Sequence, residues 1–393
     1  MSLIRRAPRE LIRRQWSAVR VLSWAGVAQL CMIVGASQQP EHDDILRKAQ
    51  ELQTHHQTEA AIALLRTYAI KHPGDAQTLT ALAQLLDDAG EKEEAARQLA
   101  AALSANPNSV AANIATGKLL LSEHKYPEAM DRLETVLSID VHNADARRGE
   151  YQAAMELAVS ARGAGHPEIA LQVLEHARSK LPDDPKLLLS LGLEATELGN
   201  FAEAETSLHA AAQVAPNDAD IVYALARLDT ERQHMEAAEE EYRAYLTMRP
   251  GDASAHFGLG HALAMMQRVE EARAEFETSI KLQPLQTESY YQVGQLELDA
   301  QQDSKARPFF EKVLSRDPKH AGALTGMGIL AFRAKDYAQA ERFLEAAEES
   351  ASNYGAAHYY RGLTLARMGR KTESEDELRV AAKLGSALKT PMN

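Results

Sequence analysis

One spacing constrains this chain more than any other feature. Prolines stand at Pro73, Pro107, Pro182, Pro216, Pro250, Pro284 and Pro318, and from Pro182 onward each follows the last by 34 residues, as Pro107 follows Pro73. The same step leads from Pro107 to Val141 and from Pro318 to Ser352. Ten residues after these positions comes a small residue: Ala83, Gly117, Gly192, Ala226, Gly260, Gly294, Gly328 and Gly362. Further on comes alanine (Ala95, Ala129, Ala170, Ala204, Ala238, Ala272, Ala306, Ala340), and four residues later a large side chain such as Leu133, Leu208, Tyr242, Phe276 or Phe310. An i, i+4 step stays on one helical face. Small residues let two helix backbones approach, and a proline cannot continue the helix before it. Each period therefore reads as two short amphipathic helices joined by a tight turn. Units of this kind bury their core against their neighbours, so no single compact core limits the length.

The segment Lys186–Pro216 reads KLLLSLGLEATELGNFAEAETSLHAAAQVAP, and Gly328, Tyr337 and Ala340 repeat its slots. Repeat length, small-residue slots, an aromatic opening the second helix and a terminal proline together resemble the tetratricopeptide repeat family. The resemblance covers residues 42–388, about ten repeats. It implies an all-α, right-handed superhelical solenoid of antiparallel helix pairs that acts as a non-enzymatic scaffold.

The departures carry expectations of their own. The unit at 144–184 is seven residues too long and has Glu150 and Tyr151 where its neighbours have an aliphatic and a glycine. The extra residues should extend its first helix and the turn around Ala161–Pro167. A kink or altered twist there would separate a front half from a more regular back half. The last unit reads as having Glu375 in place of the alanine. Its charged final helix, Thr372–Leu384, suits the polar outer face that a terminal repeat needs.

Residues 1–36 differ in kind. Six arginines, Arg5 to Arg20, face a single Glu10, and the apolar run VLSWAGVAQLCMIV (21–34) is followed by Gly35-Ala36. That is the order of an export signal cleaved after Ala36, with 37–41 a short linker and 389–393 a tail. The run is short against the roughly 20 apolar residues of a membrane helix. An uncleaved inner-membrane anchor is the alternative, with residues 21–36 as a tether, and an Arg-rich mitochondrial presequence is a further rival. The favoured location is exported, periplasmic or secreted. The formal net charge is −13, and residues 1–36 hold most of the unbalanced positive charge, so the remainder is more acidic still. Such a surface repels phosphate backbones, which argues against nucleic acid as a partner. The one cysteine, Cys31, lies in the apolar run, which leaves the repeats without disulfides or thiolate metal sites.

No phosphate-binding glycine loop, nucleophile elbow or zinc-protease motif is present. His55-His56 reads as a solvated turn, so no metal, cofactor or enzymatic activity is expected. The candidate surface follows from the family resemblance, which places the first helix of each repeat on a concave face. Seven residues past each opening position that face carries Leu189, Tyr223, Phe257, Tyr291, Thr325 and Tyr359, and four residues later Leu193, Arg227, His261, Gln295, Ile329 and Leu363. In a chain with only 5% aromatics, four at one slot form a stripe. Tyr223, Arg227, Phe257, His261, Tyr291, Gln295 and Tyr359 are thus the expected ligand contacts, for an extended or helical protein segment. Core packing is the other reading of these aromatics. A polysaccharide-binding or exopolysaccharide-export scaffold is the alternative function. A carboxylate clamp is not supported, since the corresponding positions hold Gln84, Ala115, Gln152 and Ser190, with Lys118 and Arg148 nearby.

Overall fold

The computed structural model describes residues 41–385. The segment read as signal or anchor (1–36), the linker up to residue 40 and the tail 389–393 lie outside them. Among the described residues every regular element is a helix. The chain divides into two compact units, one ending at Pro182 and the other beginning at Asp183.

The first unit holds α1 (41–54), α2 (Thr58–Lys71), α3 (Ala76–Asp88), α4 (Lys92–Ala105), α5 (Val110–Ser122), α6 (Tyr126–Ile139), α7 (Ala144–Gly163) and α8 (Pro167–Lys180). The second holds α9 (Pro185–Glu197), α10 (Phe201–Val214), α11 (Ala219–Glu231), α12 (Met235–Met248), α13 (Ala253–Met265) and α14 (Val269–Leu282). It continues with α15 (Thr287–Asp299), α16 (Asp303–Leu314), α17 (Ala321–Arg333), α18 (Tyr337–Ser350), α19 (Gly355–Arg367) and α20 (Lys371–Lys383). Odd-numbered helices are the first members of the pairs.

Local chemistry sets the ends of each helix. Two residues past the opening position, Asp75, Ser109, Asn143, Asp184, Asp218 and Asp252 accept backbone N–H groups of the helix they precede. Each such cap is worth about 1 kcal/mol. The turn inside a pair needs one left-handed residue. Gly90, Gly165, Gly199 and Gly369 supply it cheaply, whereas His56, His124, Gln233, Gln267, Gln301 and Lys335 adopt positive φ without that freedom. At Gln267 (φ 64°) its own N–H reaches Ala264 O at 2.9 Å and the Arg268 N–H reaches Leu263 O at 2.9 Å. Those two bonds satisfy carbonyls at the helix end.

Packing uses the slots as pairs. Where this slot is glycine, the large residue of the second helix fills the space it leaves on its own first helix. A Cβ on Gly192 would lie 2.5 Å from Leu208, one on Gly294 2.9 Å from Phe310, and one on Gly328 2.6 Å from Leu344. A further slot, two residues earlier, receives the large residue of the preceding repeat. Leu133 fits between Gly117 and Gly149, each 2.8 Å away by the same measure, and Phe310 also fits against Gly326 at 2.6 Å. The alanine slots are fully buried where the helices cross. One expectation is corrected here. The alanine slot of the last repeat falls on Ser374, not Glu375. Ser374 is buried and its hydroxyl donates to Gly362 O at 2.8 Å, which satisfies the one polar atom that replaces a methyl group.

In the long repeat the seven extra residues lengthen α7 to 20 residues, against 13 for α3, α5 and α9. Glu150, on its packed face, is fully buried, and neither carboxyl oxygen has a hydrogen-bond partner. Burial, reinforced by the charge of nearby Glu134, pushes its pKa up to about 8.

Two outcomes follow. Gly192→Ala should cost about 1–3 kcal/mol in chemical denaturation, because its Cβ overlaps Leu208. Glu150 holds its proton in the folded state well above the 4.5 of an ordinary glutamate. The folded chain therefore binds more protons between those values, and stability falls as pH rises from about 5 through 8. Each pKa unit is worth about 1.4 kcal/mol. Glu150→Gln should remove most of that decline in pH-dependent melting curves while leaving acid stability nearly unchanged.

Candidate functional site

Four of the seven expected contact residues share one cleft in the second unit. Tyr223 and Arg227 come from α11, Phe257 and His261 from α13, and the cleft of about 250 Å³ is completed by Tyr242, Gly258 and Gln286 among others. The period brings them together, because one step of 34 residues moves to the same place on the next first helix. The aromatics are half-buried, with one side in the core. The Tyr223 ring lies 5.0 Å from Tyr245 and meets Tyr242 edge-on at 6.0 Å, while Phe257 lies 5.6 Å from Phe276. Tyr242 crosses behind the cleft over Gly258, where any Cβ would strike its ring. Burial holds the Tyr223 hydroxyl protonated and pushes Tyr242 up to about 12. Arg227 bonds Glu197 through one nitrogen at 2.6 Å. The cleft therefore presents two ring surfaces with a guanidinium, an imidazole and the carboxylate of Glu231, a mixed apolar and polar set.

The other three expected contacts do not line this cleft. Tyr291 lies over α17, where a Cβ on Gly322 would fall 2.7 Å from its ring, and its hydroxyl reaches Tyr354 at 3.4 Å. Burial raises its pKa strongly. Residues Gly322 to Ala331 are all buried, so the stripe positions Thr325 and Ile329 belong to the core. The continuous stripe expected from the sequence is interrupted at α17, because its glycines and alanines let neighbouring aromatics close over it. Gln295 donates to Asp299 at 3.0 Å. Tyr359 is half-buried against Tyr360, edge-on at 5.4 Å.

One group of metal-ligating residue types lies together among the described residues: Glu348, His358 and Glu377. Its charges are already matched. Arg361 bridges Glu348 at 2.6 Å and Glu377 at 2.9 Å. His358 donates from Nε2 to Ser352 O at 3.1 Å and faces Glu377 from Nδ1 at 2.6 Å. Both ring nitrogens thus meet acceptors. Burial opposes the charged ring, but the carboxylates and the carbonyl outweigh it and raise the His358 pKa. With Glu345 also on Arg361 at 3.2 Å, these pairs make a clasp joining α18, α19 and α20.

Sequence reasoning placed no site in the first unit, yet a larger cavity of about 470 Å³ opens there on α1, α3 and α5. Gln84, Ala115 and Lys118, quoted above only against a carboxylate clamp, lie on it. The signal available in the sequence was the lack of an aromatic at Thr80 and Ile114, the slots where the second unit carries Tyr223 and Phe257.

The family profiles that match this chain agree with this architecture. Family profiles described as tetratricopeptide repeat match residues 80–140, 155–219, 189–253, 223–285, 257–321 and 297–367. No curated protein sequence matches the chain. Among solved structures it is similar to MamA (residue 41 to the end) from Desulfovibrio magneticus RS-1, at 20% identity over 44% of this chain and 97% of that one, with a TM-score of 0.41. It is also similar to PilF of Pseudomonas aeruginosa (20%, covering 52% and 93%, TM-score 0.46) and to yeast Tom70 (14%, covering 88% and 85%, TM-score 0.43). Matched over more than half its length, the chain belongs to the tetratricopeptide repeat family, whose members are generally non-enzymatic scaffolds for protein or peptide partners.

Proposed function

We propose that this chain is a non-enzymatic scaffold that holds an extended or helical segment of a partner protein against α11 and α13. The observation that carries this reading is the cleft itself, where Tyr223, Arg227, Phe257 and His261 converge from two consecutive repeats. The half-buried rings offer contact area with few rotors to freeze, and Arg227 keeps N–H groups beyond its bond to Glu197. Its place of work is the cell envelope, after export directed by residues 1–36. That part rests on the basic, apolar, small-residue order of the N-terminal sequence.

Two measurements check these statements. Partners captured from the host's envelope fraction should bind Arg227→Ala and Phe257→Ala with affinity reduced by about 2 kcal/mol, the scale of an interface anchor. Melting temperature should fall only modestly. A loss of about 3–5 kcal/mol in stability for Phe257→Ala with unchanged binding would make the ring a core residue only. N-terminal sequencing of protein from its host should begin at Ser37. An intact N-terminus in the membrane fraction would replace cleavage by anchoring.

A further inference from the structure

We infer that the cavity of the first unit is a second, separate docking site, for a cationic amphipathic segment of another protein. Its floor is apolar: Leu46 from α1, Leu65 from α2 and Leu99 from α4, with Ala83 and Ala115 leaving the space that larger side chains would fill. About 470 Å³ lies within the range of roughly 300–1,000 Å³ typical of ligand pockets. The space has a cause in the repeat. The stripe positions that hold Tyr223 and Phe257 in the second unit are Thr80 and Ile114 here, and Thr80 is turned into the core. No aromatic therefore closes over this face.

The rim selects the charge of the ligand. Asp87 and Asp88, on the last turn of α3, have no ion-pair partner among the described residues, and Asp88 is exposed. The one cation on the rim, Lys118, is engaged by Asp145 at 3.3 Å. Exposed Gln50, Gln53 and Gln84 add amide donors and acceptors for a peptide backbone. An apolar side chain seated on the leucines, with a lysine or arginine within one turn of it, would complement both floor and rim. A carboxylate-bearing tail would meet two unpaired aspartates. The second-unit cleft differs in setting Arg227 and His261 beside Glu231, so the two sites are chemically distinct.

The test uses the full chain and two fluorescein-labelled model peptides, one an amphipathic leucine–lysine peptide and the other its leucine–glutamate counterpart. Fluorescence anisotropy should show binding of the lysine peptide at least about tenfold tighter than the glutamate peptide, a difference of about 1.4 kcal/mol. Affinity should weaken with salt, as the rim charges are screened. Ala81→Leu, which fills the cavity, should reduce binding by about tenfold. Asp88→Lys should do the same while its melting temperature stays near that of the parent, since the side chain is exposed. Phe257→Ala, in the other unit, should leave binding unchanged. Equal binding of the two peptides, or affinity indifferent to both Ala81→Leu and Asp88→Lys, would overturn the inference. Loss on Phe257→Ala alone would overturn it too, and would move the cationic ligand to the second unit.

Discussion

The structure depends on how one bulky side chain from each second helix is seated between two first helices. Leu133 between Gly117 and Gly149, and Phe310 between Gly294 and Gly326, leave no room for a single added carbon on either side. The 34-residue period is therefore a packing period. A residue that must touch its own repeat and the next one fixes where small residues can stand in both. Stability in such an array is approximately a sum of repeat and nearest-neighbour terms. The seated side chain is the physical form of the neighbour term.

Much of this was legible in the sequence, because steric complementarity leaves its trace in residue size. The ten-residue glycine slot and the later large slot were both visible, and the structure brings them into contact. Other features were written in a different alphabet. The aspartate, serine or asparagine caps two residues after the opening position recur in six repeats from Asp75 to Asp252, but they concern hydrogen bonds and not size. The left-handed turn position is filled by glycine in some repeats and by histidine, glutamine or lysine in others, so side-chain identity there says little about backbone conformation. The last repeat was misread by one residue because Ser374 replaces the alanine. Only the structure shows its hydroxyl satisfied by Gly362 O.

The candidate site was legible in part for a related reason. Periodicity correctly brings Tyr223, Arg227, Phe257 and His261 into one cleft, since they occupy equivalent places on adjacent first helices. It fails at Tyr291 because the fate of a side chain depends on the size of its neighbours. Gly322 on α17 offers a flat backbone, and Tyr291 lies down on it instead of facing a groove. The cavity of the first unit escaped notice for the converse reason. Aromatic residues announce a surface, whereas Thr80 and Ile114 mark one by the rings they do not supply.

The long repeat shows why an insertion of this size is compatible with the rest. Seven residues make almost two turns at 3.6 per turn, so a helix lengthened by seven returns to its original face with a drift of only about 20°. The buried residues of α7 bear this out. Ala146, Gly149, Glu150, Ala153, Ala154 and Ala158 fall on one stripe along its length. Three or four added residues would have kept the face less well over this distance, and five would have turned it toward solvent. The added turns lie beyond Gly149, which keeps its contact with Leu133, and Glu150 stands on the same packed stripe at the slot of Leu191 and Leu225. Glu150 tolerates that position because, below its raised pKa, it is a neutral carboxylic acid, which avoids the cost of burying an unpaired charge.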